Sequence, residues 1–96
     1  MDKRTAEHAA QILKTIAHPA RLQIVRLLQA KEMCVNDIAE ALDSKQAIAS
    51  QQLNMMKNKG VLSCRHNGVK VYYHIEDKNV TKLLNCMFGH CKPKRG

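Results

Sequence analysis

Tryptophan is missing from this 96-residue chain, phenylalanine occurs once and tyrosine twice, so any core must be built from aliphatic side chains. A chain this short hides only about 60 to 65% of its unfolded surface, and one modest domain spanning residues 1–96, completed by self-association, is the expectation. Also missing is any run of about 18 apolar residues, which excludes a membrane-spanning helix from the expected architecture. The first eight residues, Met1 to His8, carry charges with no apolar stretch behind them and do not read as a secretory leader. A cytoplasmic protein is therefore expected, and in that reducing compartment the four cysteines read as free thiols or metal ligands rather than disulfides. No phosphate loop, nucleophile elbow or Cys-x-x-Cys is present, and Cys86 and Cys91 are too far apart for disulfide exchange at a helix start, so an enzyme is not expected.

Acidic residues are missing from one long stretch. Between Asp43 and Glu76 there is none, whereas Lys45, Lys57, Lys59, Arg65 and Lys70 all fall there. Residues 1–43 balance six basic against six acidic side chains, and the whole formal net charge of +8 lies in the remainder. That asymmetry is the electrostatic footprint of a protein that meets a polyanion.

What is present is helical periodicity broken by short polar turns, with no repeat and no linker. Ala6, Ala9, Leu13 and Ile16 recur at helical spacing, and Pro19 suits the first turn of a second helix carrying Leu22, Val25 and Leu28. A short helix is expected near residues 35–42. After the break at Asp43-Ser44 comes a longer one, from about Lys45 to Asn58, stopped by Gly60. Two helices joined by a tight break suggest a helix-turn-helix. In the longer helix Ala49, Leu53 and Met56 form one stripe, and Ala47, Ser50, Gln51, Asn54 and Lys57 share the opposite face. Asn and Gln pair bidentately with adenine, Ser bonds base edges or phosphate, and Ala allows close approach to a thymine methyl. With Lys45 and Gln46 at its start, this face is the expected reader of a major groove.

Asn67-Gly68, between Val61–His66 and Val69–Ile75, is a strong hairpin signal. A two-residue turn there pairs Arg65 with Lys70 and Leu62 with Tyr73. Like charges facing each other are explained if a phosphate lies between them, so a basic wing is expected. Cys64 falls on the apolar face and reads as a small core residue. A last helix from about residues 77–79 carries Val80, Leu83, Leu84 and Met87, and Cys91 continues the stripe if helix persists past Gly89. Such a stripe needs a partner, and packing with the first helix of a second subunit would give a twofold dimer. The expected fold is thus mainly α with a β-hairpin wing, in the order α-α-α-α-β-β-α, a winged helix-turn-helix homodimer joined through its first and last helices.

The segments Leu13–Val25, Val35–Ala39, Gln46–Leu53 and Gly60–Tyr73 together resemble the ArsR/SmtB family of winged-helix repressors over nearly the whole chain. The resemblance implies a homodimer that binds a palindromic double-stranded DNA operator with no cofactor required, and leaves it when an inducer is sensed. It implies several sensing positions, each matched in part. Where zinc-type members have an Asp and His, then a second pair, this chain has Asp77 and His90 but also Asn79 and Pro93. Where arsenic and cadmium sensors have Cys-Val-Cys, it has Cys34-Val35-Asn36. Cys34 also falls at a helix start, where the dipole favours an anion. Cys86, His90 and Cys91 form the other local set, near the position of the C-terminal thiol of redox- and persulfide-sensing members, whose second-helix thiol is missing here. As(III) or another thiophilic ion sensed through Cys34, Cys86, Cys91 and His90 is the expected inducer. A persulfide- or redox-responsive repressor is the alternative, and a non-regulatory nucleoid-type protein a further one. His8, His66 and His74 read as surface or packing residues.

Overall fold

The computed structural model describes residues 2–87. Helix α1 (Lys3–Ile16) starts where the Thr5 backbone N–H donates to the Asp2 carboxylate at 2.7 Å, a bond that holds the Asp2 carboxyl below its ordinary value. Helix α2 (Pro19–Ala30) opens on Pro19, whose fixed φ suits the first turn, and the Ala20 N–H donates to Nδ1 of the capping His18 at 3.2 Å. Strand β1 (Met33–Cys34) leads into α3 (Val35–Ala41). The turn after α3 is closed by a bond from the Ser44 N–H to the Ala39 carbonyl, with Asp43 at φ 53. Helix α4 (Gln46–Asn58) ends at Gly60, whose φ of 84 an L side chain rarely adopts. Strands β2 (Leu62–Asn67) and β3 (Lys70–Ile75) form the hairpin, and α5 (Lys78–Asn85) starts on Asp77, which accepts the Asn79 N–H at 2.9 Å. Gln29 joins α2 to α5 through a 3.0 Å bond to Asn85.

The helix-turn-helix and wing stand in the expected order, with one added strand. Met33 and Cys34 pair with Tyr73 and Tyr72, so the hairpin is part of a three-stranded antiparallel sheet in the order β1-β3-β2. Two residues are too short to show a period, which is why this strand was not expected from the sequence. The core joins Ile24, Val25 and Leu28 of α2 with Ile38 of α3, Leu53 and Met56 of α4, Leu62 and Tyr73 of the sheet, and Val80 and Leu84 of α5. Helix α1 contributes Ile12 and Ile16, while Ala6 and Leu13 from the expected stripe face outward.

The hairpin register departs from expectation by two residues. Only Gly68 has positive φ in the loop, at 67, while Asn67 stays extended and pairs with Lys70. The turn residues are therefore Gly68 and Val69, as in a turn needing left-handed geometry at its first central position alone. Arg65 consequently faces Tyr72 rather than Lys70, and Leu62 faces Ile75 rather than Tyr73. Because the shift is even, every side chain keeps its face of the sheet.

Leu53 is fully buried, whereas Ile48 on the same helix is half exposed. Leu53→Ala should cost about 2 to 5 kcal/mol by transfer and cavity terms, and Ile48→Ser within about 0.5 kcal/mol, in equilibrium urea unfolding. Equal midpoints for the two variants would contradict this packing.

Candidate nucleic-acid interface

Helix α4 buries Ala49, Leu53 and Met56, so its opposite side must face outward. Ala47, Gln51, Asn54 and Lys57 are exposed there, and Ser50 is half-buried beside them. Lys45 and Gln46 are exposed at the start of the helix, where Lys45 provides no side-chain cap. The helix is held at an angle set by Arg21 of α2, whose Nε donates to Gln52 Oε1 at 3.0 Å while Nη1 reaches the Thr15 carbonyl at 3.3 Å. Gln52 was not singled out in the sequence, since it lies off both stripes, yet it ties this helix to the α1–α2 corner.

Asn54 is not a free reader. The Tyr73 hydroxyl donates to Asn54 Oδ1 at 3.3 Å, which joins the wing to α4. Burial pushes the Tyr73 phenol up from its ordinary value, and the thiol of Cys64, its cross-strand partner, acts in the same direction against the opposing effect of Lys57. The hydroxyl accordingly stays protonated and able to donate through neutral pH. Asn54 Oδ1 keeps a second lone pair, so the amide retains an acceptor as well as its two donors.

On the wing, Val69 is fully exposed at the tip and Lys70 is exposed beside it. Arg65 lies on the same outer face but not opposite Lys70. Its guanidinium sits 5.0 Å from the Tyr72 ring centroid, and its Nε is ion-paired to Glu32. The expected Arg65–Lys70 clamp is thus replaced by two cations at different levels of the hairpin, because Gly68-Val69 rather than Asn67-Gly68 makes the turn.

The cysteines are dispersed. Cys34 is buried at the N-cap of α3 without capping it through its side chain, and its Sγ instead donates to Asp37 Oδ2 at 3.3 Å. It borders a cleft of about 290 Å³ between the helix-turn-helix and the wing, also lined by Asn36, Gln46 and Lys70. Cys64 is half-buried against Tyr73, as a core residue, and Cys86 is exposed at the end of α5. His90 and Cys91 lie outside the described residues. Among the described residues no group of three or more His, Cys, Asp or Glu is arranged to hold a metal ion. Asp77 caps α5 and lies 3.5 Å from His8, so of the unassigned histidines His8 and His74 both have carboxylate neighbours.

The profile of bacterial regulatory proteins of the arsR family matches residues 18–63, the stretch from the start of α2 into β2. A cadmium resistance transcriptional regulatory protein CadC homolog of Staphylococcus aureus is 33% identical over 92% of this chain and 74% of its own length. The chain belongs to the ArsR family. Among solved structures, the transcriptional repressor BigR of Xylella fastidiosa superimposes with a TM-score of 0.84 at 26% identity, over 96% of this chain and 94% of that one. The homodimeric winged helix-turn-helix DNA-binding domain Mb0332 of Mycobacterium bovis does so with a TM-score of 0.75 at 25% identity, over 100% and 97% of the two chains. ArsR proteins are DNA-binding transcriptional regulators, not an enzyme family. No helix among the described residues is long and apolar enough to cross a membrane.

In this ArsR protein the burial of the Tyr73 phenol gives a measurable pH effect. A phenol whose folded-state value is raised contributes stability that is fully present below its unfolded value of 10.0 and is lost as pH rises above it. Tyr73→Phe should lower stability by about 0.5 to 1.5 kcal/mol near pH 8 and flatten the loss above pH ~10. Urea midpoints measured across that range check it, and an unchanged alkaline slope would contradict it.

Proposed function

We propose that this ArsR protein is a repressor that binds a palindromic operator as a homodimer and is released by an inducer acting on its thiols. The observation that carries the DNA-binding half is the outward face of α4, with Gln46, Ala47, Ser50, Gln51, Asn54 and Lys57 exposed or half-exposed beside the wing cations Arg65 and Lys70. Repression is supported by similarity to BigR, itself described as a repressor. Such a protein works where the chromosome is, in the bacterial cytoplasm.

The dimer reading is supported by an apolar cleft of about 340 Å³ lined by Ala9, Ile12 and Leu13 of α1 and Val80 and Leu83 of α5. Leu13 and Leu83 of its lining are 49% and 36% exposed, and Met87, just past α5, is 46% exposed. Apolar surface of this kind on so small a domain needs cover, and Mb0332, which shares the fold, is a homodimer. A twofold axis through these helices sets the two copies of α4 at successive major grooves. Leu13→Glu should convert the dimer to monomer in analytical ultracentrifugation, with operator affinity falling at least about tenfold; a dimer of unchanged stability would refute this interface.

As(III) or another thiophilic ion is the inducer read from Cys34, Cys86 and Cys91 with His90, and no cofactor is needed for DNA binding. The CadC homolog, named for cadmium resistance, supports a soft metal. Soft ions of this class take about three thiolates, and the described residues of one chain do not supply three, so the partner subunit or residues 88–96 must complete the site. That same shortage favours persulfide or oxidant chemistry, which needs only one or two thiols, as the second reading. Relieving repression 100-fold requires only about 2.7 kcal/mol of differential binding.

The test is anisotropy on the protein's own promoter duplex, reduced and metal-free. The operator should be preferred by about 10³ over random DNA, Ser50→Ala with Gln51→Ala should erase the preference without unfolding the protein, and one equivalent of arsenite should release the duplex. Tight binding unaffected by arsenite but lost with a persulfide donor selects the second reading. Equal affinity for all duplexes would leave only a nucleoid-type role.

A further inference from the structure

The acid-free surface expected around the wing is invaded by one acid from elsewhere in the chain. Glu32 precedes β1 and so lies one residue before the Met33–Tyr73 pair, opposite His74 on the outer face of the sheet. Alternation sets Lys70, Tyr72 and His74 of β3 and Ser63, Arg65 and Asn67 of β2 on that same face. One Glu32 oxygen accepts from Arg65 Nε, and the other lies 3.8 Å from His74 Nδ1, a buried nitrogen with no hydrogen-bond partner. The Tyr72 ring supports the guanidinium at 5.0 Å. Arg65 is therefore held at its Nε edge by a residue 33 positions away, and its terminal nitrogens are the part left to meet a phosphate.

We propose that Glu32 is an internal stand-in for a DNA phosphate: it holds Arg65 in the free protein and yields it to the duplex backbone on binding, and so limits the protein's sequence-independent affinity. The inference rests on the DNA-binding reading above. Both side chains are substantially exposed, at 52% and 38%, and ion pairs of that kind are weak enough to exchange for phosphate readily. The exchange has a distinct electrostatic consequence. A free arginine that neutralises a phosphate releases about 0.9 of a counterion, which steepens the salt dependence of binding by that amount. An arginine that must first leave a carboxylate contributes less to the slope, because the uncovered Glu32 charge then lies against the phosphates and keeps near the complex cations that a free arginine would release. Glu32 thus acts through Arg65, as a positioning residue rather than as a contact.

The experiment compares the full chain with Glu32→Gln, Glu32→Asp and Arg65→Gln for binding a random-sequence duplex across a range of salt concentrations. Glu32→Gln should tighten low-salt binding about threefold to fivefold and steepen the log–log salt slope by up to about 0.9. Glu32→Asp keeps the charge but shortens the reach, and should shift the slope in the same direction. In the Arg65→Gln background, Glu32→Gln should recover less than about half of its effect on affinity. Coincident slopes for wild type and Glu32→Gln would overturn the proposal, as would an undiminished effect without Arg65, which would make Glu32 an ordinary surface acid. If the wild-type chain binds no duplex at all, the DNA-binding reading itself fails and the proposal falls with it.

Discussion

Burial of one side of α4 is the constraint on which the rest depends. Leu53 and Met56 are wholly inside, packed with Ile24 and Val25 of α2 and with Val61 and Leu62 at the start of the wing. A helix cannot turn a second face inward without leaving that core, so Ala47, Gln51, Asn54 and Lys57 are presented outward as a rigid row. The orientation is then trimmed by polar ties, Arg21 to Gln52 on one side and Tyr73 to Asn54 on the other. Each is worth little alone, about 1 kcal/mol, but together they restrain both flanks of the helix, and precise side-chain positioning is what base reading requires.

A second constraint is the shortage of core. With aliphatic side chains and a single buried tyrosine, the domain leaves Leu13, Leu83 and Met87 at its surface. Leu13 lies on α1, Leu83 on α5 and Met87 just past it, while the helix-turn-helix and wing lie between these two helices. On the proposed reading, association and DNA contact are carried by different elements, and any chemistry at Cys34 or Cys86 would bear on a different part of this arrangement. Cys34 adjoins the cleft between α3 and the wing, and Cys86 is exposed at the C-cap of α5.

Most of the fold was legible because its elements are long enough to show a period or are bounded by residues with one conformational use. Pro19, Gly60 and the Ala49–Leu53–Met56 stripe fall as the sequence suggested. The helix-turn-helix break is at Asp43-Ser44, although the left-handed residue there is an aspartate. Three features were not legible. Strand β1 is two residues long and has no period. The hairpin register depended on whether Asn67 or only Gly68 would take positive φ, and the dipeptide permits both. The inward face of α1 was not separated from its outward one, since Ile12 and Thr15 join Ile16 in facing the core while Leu13 is exposed; in a self-associating protein both faces of such a helix are apolar. Among the site residues, contacts made across the chain were out of reach of spacing arguments. Asn54 bonded to Tyr73 and Arg65 to Glu32 both join segments whose proximity depends on the packed fold.

The central claim is that two copies of α4 read one duplex in register. Repeated selection of duplexes from a random library by the reduced, metal-free protein, followed by sequencing, tests it most directly. The account requires an inverted repeat whose half-sites are centred about one helical turn, 10 to 10.5 base pairs or a multiple of it, apart. Enrichment of a single unrepeated site, or of no site at all, would contradict it.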